Sequence, residues 1–110
     1  MTTVIRIDHD ISFSRYDTAY VKDWIKKLPY TILSTEMRES TGGNTHIKVI
    51  IKENISPIDT LMLRAVLHDD SRRIRGDLER YLFESPLFDI LFDAKRENGI
   101  TRYAGEWIAI

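Results

Sequence analysis

Residues 5–10 read Ile-Arg-Ile-Asp-His-Asp, and this alternation of apolar and charged side chains commits the chain to a sheet. Successive side chains of a strand point to opposite faces. Ile5, Ile7 and Ile11 therefore share one face, and Arg6, Asp8 and Asp10 share the other. The predicted first strand covers 3–11. Two carboxylates two positions apart on one strand face stand about 6.5–7 Å apart at their backbones, close enough to share hard metal ions.

The period then changes. Tyr20, Val21, Trp24, Ile25 and Leu28 recur at helical spacing through 16–28, with Ser12 or Ser14 as a cap, Asp17 in the first turn and Pro29 as a stop. Residues 30–39 alternate again, setting Thr31, Leu33, Thr35 and Met37 against Ile32, Ser34, Glu36 and Arg38. Ser40-Thr41-Gly42-Gly43-Asn44 is a turn by composition, and 45–53 is a third strand with Ile47, Val49 and Ile51 on its apolar face. The two strands form a hairpin.

Ser56-Pro57 opens a second helix, whose apolar stripe is Ile58, Leu61, Met62, Ala65 and Val66. His68-Asp69-Asp70-Ser71 marks a break and a new cap. Ile74, Leu78 and Leu82 then continue at helical spacing until Pro86. A strand is predicted over 89–96, Asn98-Gly99 is a two-residue hairpin turn, and 100–110 returns as a further strand.

This order predicts a single α+β domain over 1–110, a ferredoxin-like (RRM-like) βαββαβ sandwich with an additional C-terminal strand. Right-handed crossovers put the helices on one face of an antiparallel sheet, with the strands ordered fourth, first, third, second. The absence of cysteine fits a reducing, cytoplasmic setting, and no apolar run reaches the roughly 18 residues of a membrane span. A net charge of −1 is a poor match for indiscriminate duplex binding, so any nucleic-acid contact has to use a local patch.

The topology would gather Asp8 and Asp10, then His46 and Lys48, then Asp89 and Asp93 on the uncovered face, with Arg38 joining from the second strand. An acidic centre flanked by cations can hold divalent metal while the cations grip phosphate oxygens. Ile-Asp-His-Asp at 7–10, Ser-Thr-Gly-Gly-Asn-Thr-His at 40–46 and Leu-Phe-Asp at 91–93 resemble, in order, the three signature motifs of the archaeo-eukaryotic primase and primase-polymerase superfamily. That resemblance implies Asp8, Asp10 and Asp93 as catalytic ligands of Mg2+ or Mn2+, and His46 as a contact to the phosphates of an incoming nucleotide. It also implies nucleotidyl transfer in DNA replication. The family carries a small hydroxyl residue two before the histidine. Asn44 stands there, and Ser40 is the nearest substitute.

Plainer roles exist for the same residues. Asp8 and Asp10 suit a strand end, Gly42-Gly43 suits a turn, and His9 falls on the apolar face as a sheet-end histidine. Arg64, Arg72, Arg73, Arg75 and Arg80 interleave with Asp69, Asp70, Asp77 and Glu79, the pattern of a solvated, salt-bridged helix face. The alternative function is a non-catalytic nucleic-acid-binding or self-associating module. The first and third strands offer no open-face aromatics for stacking bases. Tyr103, Trp107 and the apolar 108–110 suggest an unpaired strand that a homodimer would satisfy. A rolling-circle nuclease, with Tyr81 as nucleophile, would need a His-hydrophobic-His strand, and residue 48 is Lys.

Overall fold

The computed structural model describes residues 2–84 and 89–110. Among these, the elements are β1 (Thr3–His9), α1 (Thr18–Lys26), β2 (Ile32–Glu39), β3 (Thr45–Ile51), α2 (Pro57–Val66), α3 (Ser71–Leu82), β4 (Ala94–Glu97), β5 (Ile100–Tyr103) and β6 (Ile108–Ala109). They build an α+β fold with a four-stranded antiparallel sheet in the order β1-β3-β2-β6 and a separate β4–β5 hairpin. No described helix is long and apolar enough to cross a membrane.

Each helix begins where a side chain satisfies its free amides. The Asp17 carboxylate accepts from Ala19 N, Ser56 Oγ accepts from Asp59 N ahead of α2, and the Asp70 carboxylate accepts from Arg72 N and Arg73 N. Asp17, rather than Ser12 or Ser14, therefore caps α1, while Phe13–Arg15 forms a short 3-10 turn. α3 ends at Leu82, and the stop expected at Pro86 lies outside the described residues.

The core joins Ile5, Ile7, Ile47, Val49, Ile51 and Met37 of the sheet to Val21 and Ile25 of α1 and to Leu67, just past α2. Fully burying each such aliphatic side chain contributes about 1.5–3 kcal/mol. His9 ends the apolar face of β1 as a buried histidine held by the Tyr16 hydroxyl and the Leu67 carbonyl. β1 stops there, so Ile11 is exposed.

Three expectations are corrected. β2 does not alternate cleanly: Ile32 pairs with Ile51 and Ser34 with Ile50, so Leu33 is an extra residue in a bulge. The bulge turns Ile32 towards the core with Thr35 and Met37, and Leu33 is exposed. The stripe of α2 is also shifted, because Thr60, Leu61 and Arg64 are buried while Ile58, Met62 and Val66 face out. Lastly, 89–96 does not pair with β1 as a strand, and 100–110 splits into β5 and β6, which join different sheets.

Side chains seal the free edge of β1 in place of a strand. Arg6 N donates to Asp89 Oδ2 at 2.8 Å and Asp8 N to Asp69 Oδ1 at 2.7 Å, while the Arg6 carbonyl accepts from Arg73 at 3.2 Å and the Asp8 carbonyl from Asp70 N at 3.2 Å. These carboxylates are anchored in turn by Arg64, which is wholly buried and donates to Asp69 and Asp77 at 2.7 Å each. Arg73 bridges Asp69 and Asp89. The arginine-rich stretch is thus partly an interior ion network rather than a solvated face, although Arg72 and Arg75 remain exposed.

Candidate functional site on the polar sheet face

Cross-strand pairing puts Asp8, His46 and Arg38 in one row across β1, β3 and β2. Arg38 Nε donates to His46 Nδ1 at 3.0 Å, and His46 Nε2 lies 3.8 Å from Asp8 Oδ1. A guanidinium can only donate, so Nδ1 is the lone-pair nitrogen and the imidazole proton sits on Nε2, facing Asp8. Burial, followed by the positive charge of Arg38, lowers the His46 pKa to about 4, so the ring is neutral at physiological pH. The Asp8 carboxyl is pushed the other way, first by burial and then by Asp70, Asp69 and Asp10, with Arg73 opposing. At neutral pH, therefore, Asp8 and His46 are not an ion pair. They are a carboxyl group beside an N–H donor.

The row continues to Asp93, whose Oδ1 accepts from Arg38 at 2.6 Å. That bond and the guanidinium charge hold the Asp93 carboxyl below the usual carboxylate range. Lys48 lies in the next row, 3.5 Å from Glu36. Trp107 covers both cations, with its ring centroid 4.5 Å from the Arg38 guanidinium carbon and 4.3 Å from Lys48 Nζ. The aromatic that the first and third strands lack is delivered by the segment entering β6. Pairing of Ile108 with Met37 sets it there, a long-range contact that no periodicity announces.

Asp8 and His46 open into a cleft of about 800 Å3. Ser40, Thr41, Gly42, Arg72 and Arg73 also line it, together with Leu91, Phe92, Lys95 and Arg96. Ser40 braces the turn: its Oγ accepts from Asn44 N at 2.9 Å, and its amide donates to the Asn44 carbonyl at 2.8 Å. Gly43 has a φ of +87°, which a side-chain-bearing residue adopts only at a cost.

The structure separates the sequence-derived carboxylates. Asp10 lies past the end of β1, off the strand face, and accepts from Asn44 Nδ2 at 2.7 Å. Asp93 is committed to Arg38. Asp89, expected on the uncovered face, is buried at the edge of β1, where desolvation raises its pKa against the opposing pull of Arg64 and Arg73. The donor set does not fit a preassembled three-carboxylate metal centre. No group of three or more histidine or acidic side chains converges as metal ligands among the described residues. What does converge is Asp8, His46, Arg38, Lys48 and Ser40, on and beside the sheet face turned away from the aliphatic core, where Trp107 lies over Arg38 and Lys48.

No protein-family model matches this chain, and neither a curated protein nor a solved structure matches it.

Proposed function

We propose that this protein is a primase-polymerase-like domain that binds the phosphates of a nucleotide in the cleft beside Asp8 and His46. The carrying observation is the Asp8–His46–Arg38 row, in which a buried arginine orients a neutral imidazole so that its N–H faces Asp8, beside an open cleft that both residues line. A fixed N–H donor, the exposed Arg72 guanidinium and the hydroxyl-bearing glycine turn together suit phosphate oxygens. A ferredoxin-like, RRM-like topology is part of the same proposal. It is supported by the β1-β3-β2 order and by α1 and Leu67 packing on one side of the sheet. A cytoplasmic role in DNA replication belongs to it as well, and nucleotidyl transfer is its furthest extension.

Mg2+ or Mn2+ enters this proposal only together with the nucleotide. Mg2+ is usually held by one or two carboxylates with substrate phosphates completing its shell; Asp8 and Asp70 are the acids that line the cleft, and Asp70 is already engaged in capping α3. Asp10 and Asp93 would take part only by giving up Asn44 and Arg38. Self-association has less to support it, because the apolar terminal strand already pairs with β2.

Calorimetric titration with a nucleoside triphosphate, with and without Mg2+ or Mn2+, tests the proposal. Wild-type protein is expected to bind, His46→Gln to bind roughly tenfold more weakly, and Asp8→Asn to lose the metal-dependent part. Absence of binding by the wild type, or equal binding by all three proteins, overturns it.

A further inference from the structure

A pocket of about 480 Å3 opens between the start of α1 and the turn that follows α2, and it shares no lining residue with the cleft at Asp8 and His46. Its volume lies within the roughly 300–1,000 Å3 of small-molecule sites. Tyr16, Tyr20, Trp24 and His68 supply rings to the lining, and Ile11 and Val21 add aliphatic surface. The buried His9 in this lining has no free nitrogen. Its Nε2 donates to the Leu67 carbonyl at 2.6 Å, and its Nδ1 is bonded to the Tyr16 hydroxyl.

His68 stands where a helix end usually places glycine. It follows α2 in the left-handed region, with a φ of +63°, and its amide donates to the Ala65 carbonyl at 3.1 Å. That cap needs no imidazole, yet the ring lies edge-on to Trp24, with centroids 6.1 Å apart at 84°. Trp24 in turn already attracts a cation: Lys27 Nζ is 5.0 Å from its ring centroid, and Lys27 itself lies outside the lining. Around the pocket, Asp10 and Asp17 outnumber the exposed Arg15. Burial, followed by the charge of Asp17, raises the Tyr16 pKa, so the negative field extends to that hydroxyl.

We infer that this pocket binds a small organic cation carrying a quaternary, methylated ammonium group, held by the rings of Tyr16, Tyr20, Trp24 and His68 and by the charge of Asp17. Such a cation has no N–H to satisfy, which suits a lining whose His9 and Tyr16 are bonded to one another. A primary ammonium would bring three donors in need of acceptors, and an anion would meet the two carboxylates. The ligand of this pocket does not depend on the nucleotide proposed for the other cleft.

Heteronuclear NMR titration with choline tests this, and the control is its uncharged isostere, in which a tert-butyl group replaces trimethylammonium. Trp24 and Trp107 are the two tryptophans of the chain, so each indole N–H resonance reports on one site. Choline is expected to shift the Trp24 indole and to leave that of Trp107 in place. Tyr20→Ala, at an exposed ring, should weaken choline about three- to fivefold. His68→Gly should weaken it in the same direction with an unchanged or raised melting temperature, because glycine adopts that φ freely. Asp17→Asn keeps a capping oxygen for α1 and should weaken choline about threefold through the lost charge. An unmoved Trp24 indole overturns the proposal, as does equal binding of the tert-butyl analogue or unchanged affinity in all three variants. Binding of a trimethyllysine peptide with none of choline overturns the small-molecule assignment.

Discussion

Arg38 reaches across from β2 and donates to Nδ1 of His46 at 3.0 Å, which fixes the imidazole proton on the opposite nitrogen. The bond also decides how the fold responds to acid. An unfolded histidine titrates near 6.5, and His46 in the fold titrates at about 4. Between those values the unfolded chain holds the extra proton, so stability rises with pH across the window and is lost as pH falls from 6.5 towards 4. The whole effect is on the order of 3 kcal/mol. Asp8 and Asp89, whose pKa values are raised, contribute with the opposite sign just above 3.8. Urea unfolding across this range should show the wild type losing stability more steeply than His46→Gln. Parallel profiles would contradict the assignment of a neutral imidazole.

Replacing Arg64 tests the interior ion network. Arg64→Met keeps an unbranched apolar stem but removes the fully buried cation from between Asp69 and Asp77, leaving Asp69 to Arg73 and Asp77 to the more exposed Arg80. Removing one partner of a buried set costs about 3–5 kcal/mol. Asp69 and Asp89 also hold the Asp8 and Arg6 amides, so hydrogen exchange at those two positions should speed up more than at the centre of β3. A destabilisation under about 1 kcal/mol with unchanged exchange would show that the edge does not depend on this cation.

The bulge in β2 makes a paired prediction. Ile32→Ala should destabilise the fold by about 1–2 kcal/mol, because Ile32 packs on the core. Leu33→Lys, at an exposed position, should change stability by no more than about 0.5 kcal/mol. An uninterrupted strand would give the reverse order, so chemical denaturation of the two variants separates the registers.

The sequence displayed whatever depends on local spacing. The period-two run of β1, the hairpin of β2 and β3, the Ser56-Pro57 start of α2 and the recap before α3 all appear where near neighbours place them. Asn98 and Gly99 both adopt positive φ, as their two-residue turn requires. What stayed hidden depends on partners far along the chain. Arg64 resembles a surface residue until Asp77, 13 positions on in another helix, takes its charge. One extra residue at Leu33 is enough to invert the faces of the strand start. The site shows the same division. Asp8, His46 and Arg38 were legible as one face, but Asp10 was lost to the early end of β1, and Trp107 came from a segment whose pairing no pattern foretold.

The sealing of β1 has a kinetic consequence. Its outer amides are satisfied by Asp69 and Asp89, 61 and 83 residues from their partners, whereas the neighbouring hairpin closes over only a short turn. Pairings of such long separation form slowly because the intervening chain must first be ordered. Between hairpin closure and arrival of the two carboxylates, the strand's bare amides face solvent. In that interval a folding molecule is most open to pairing with a second copy, and a chaperone that shields strand edges would have its largest effect.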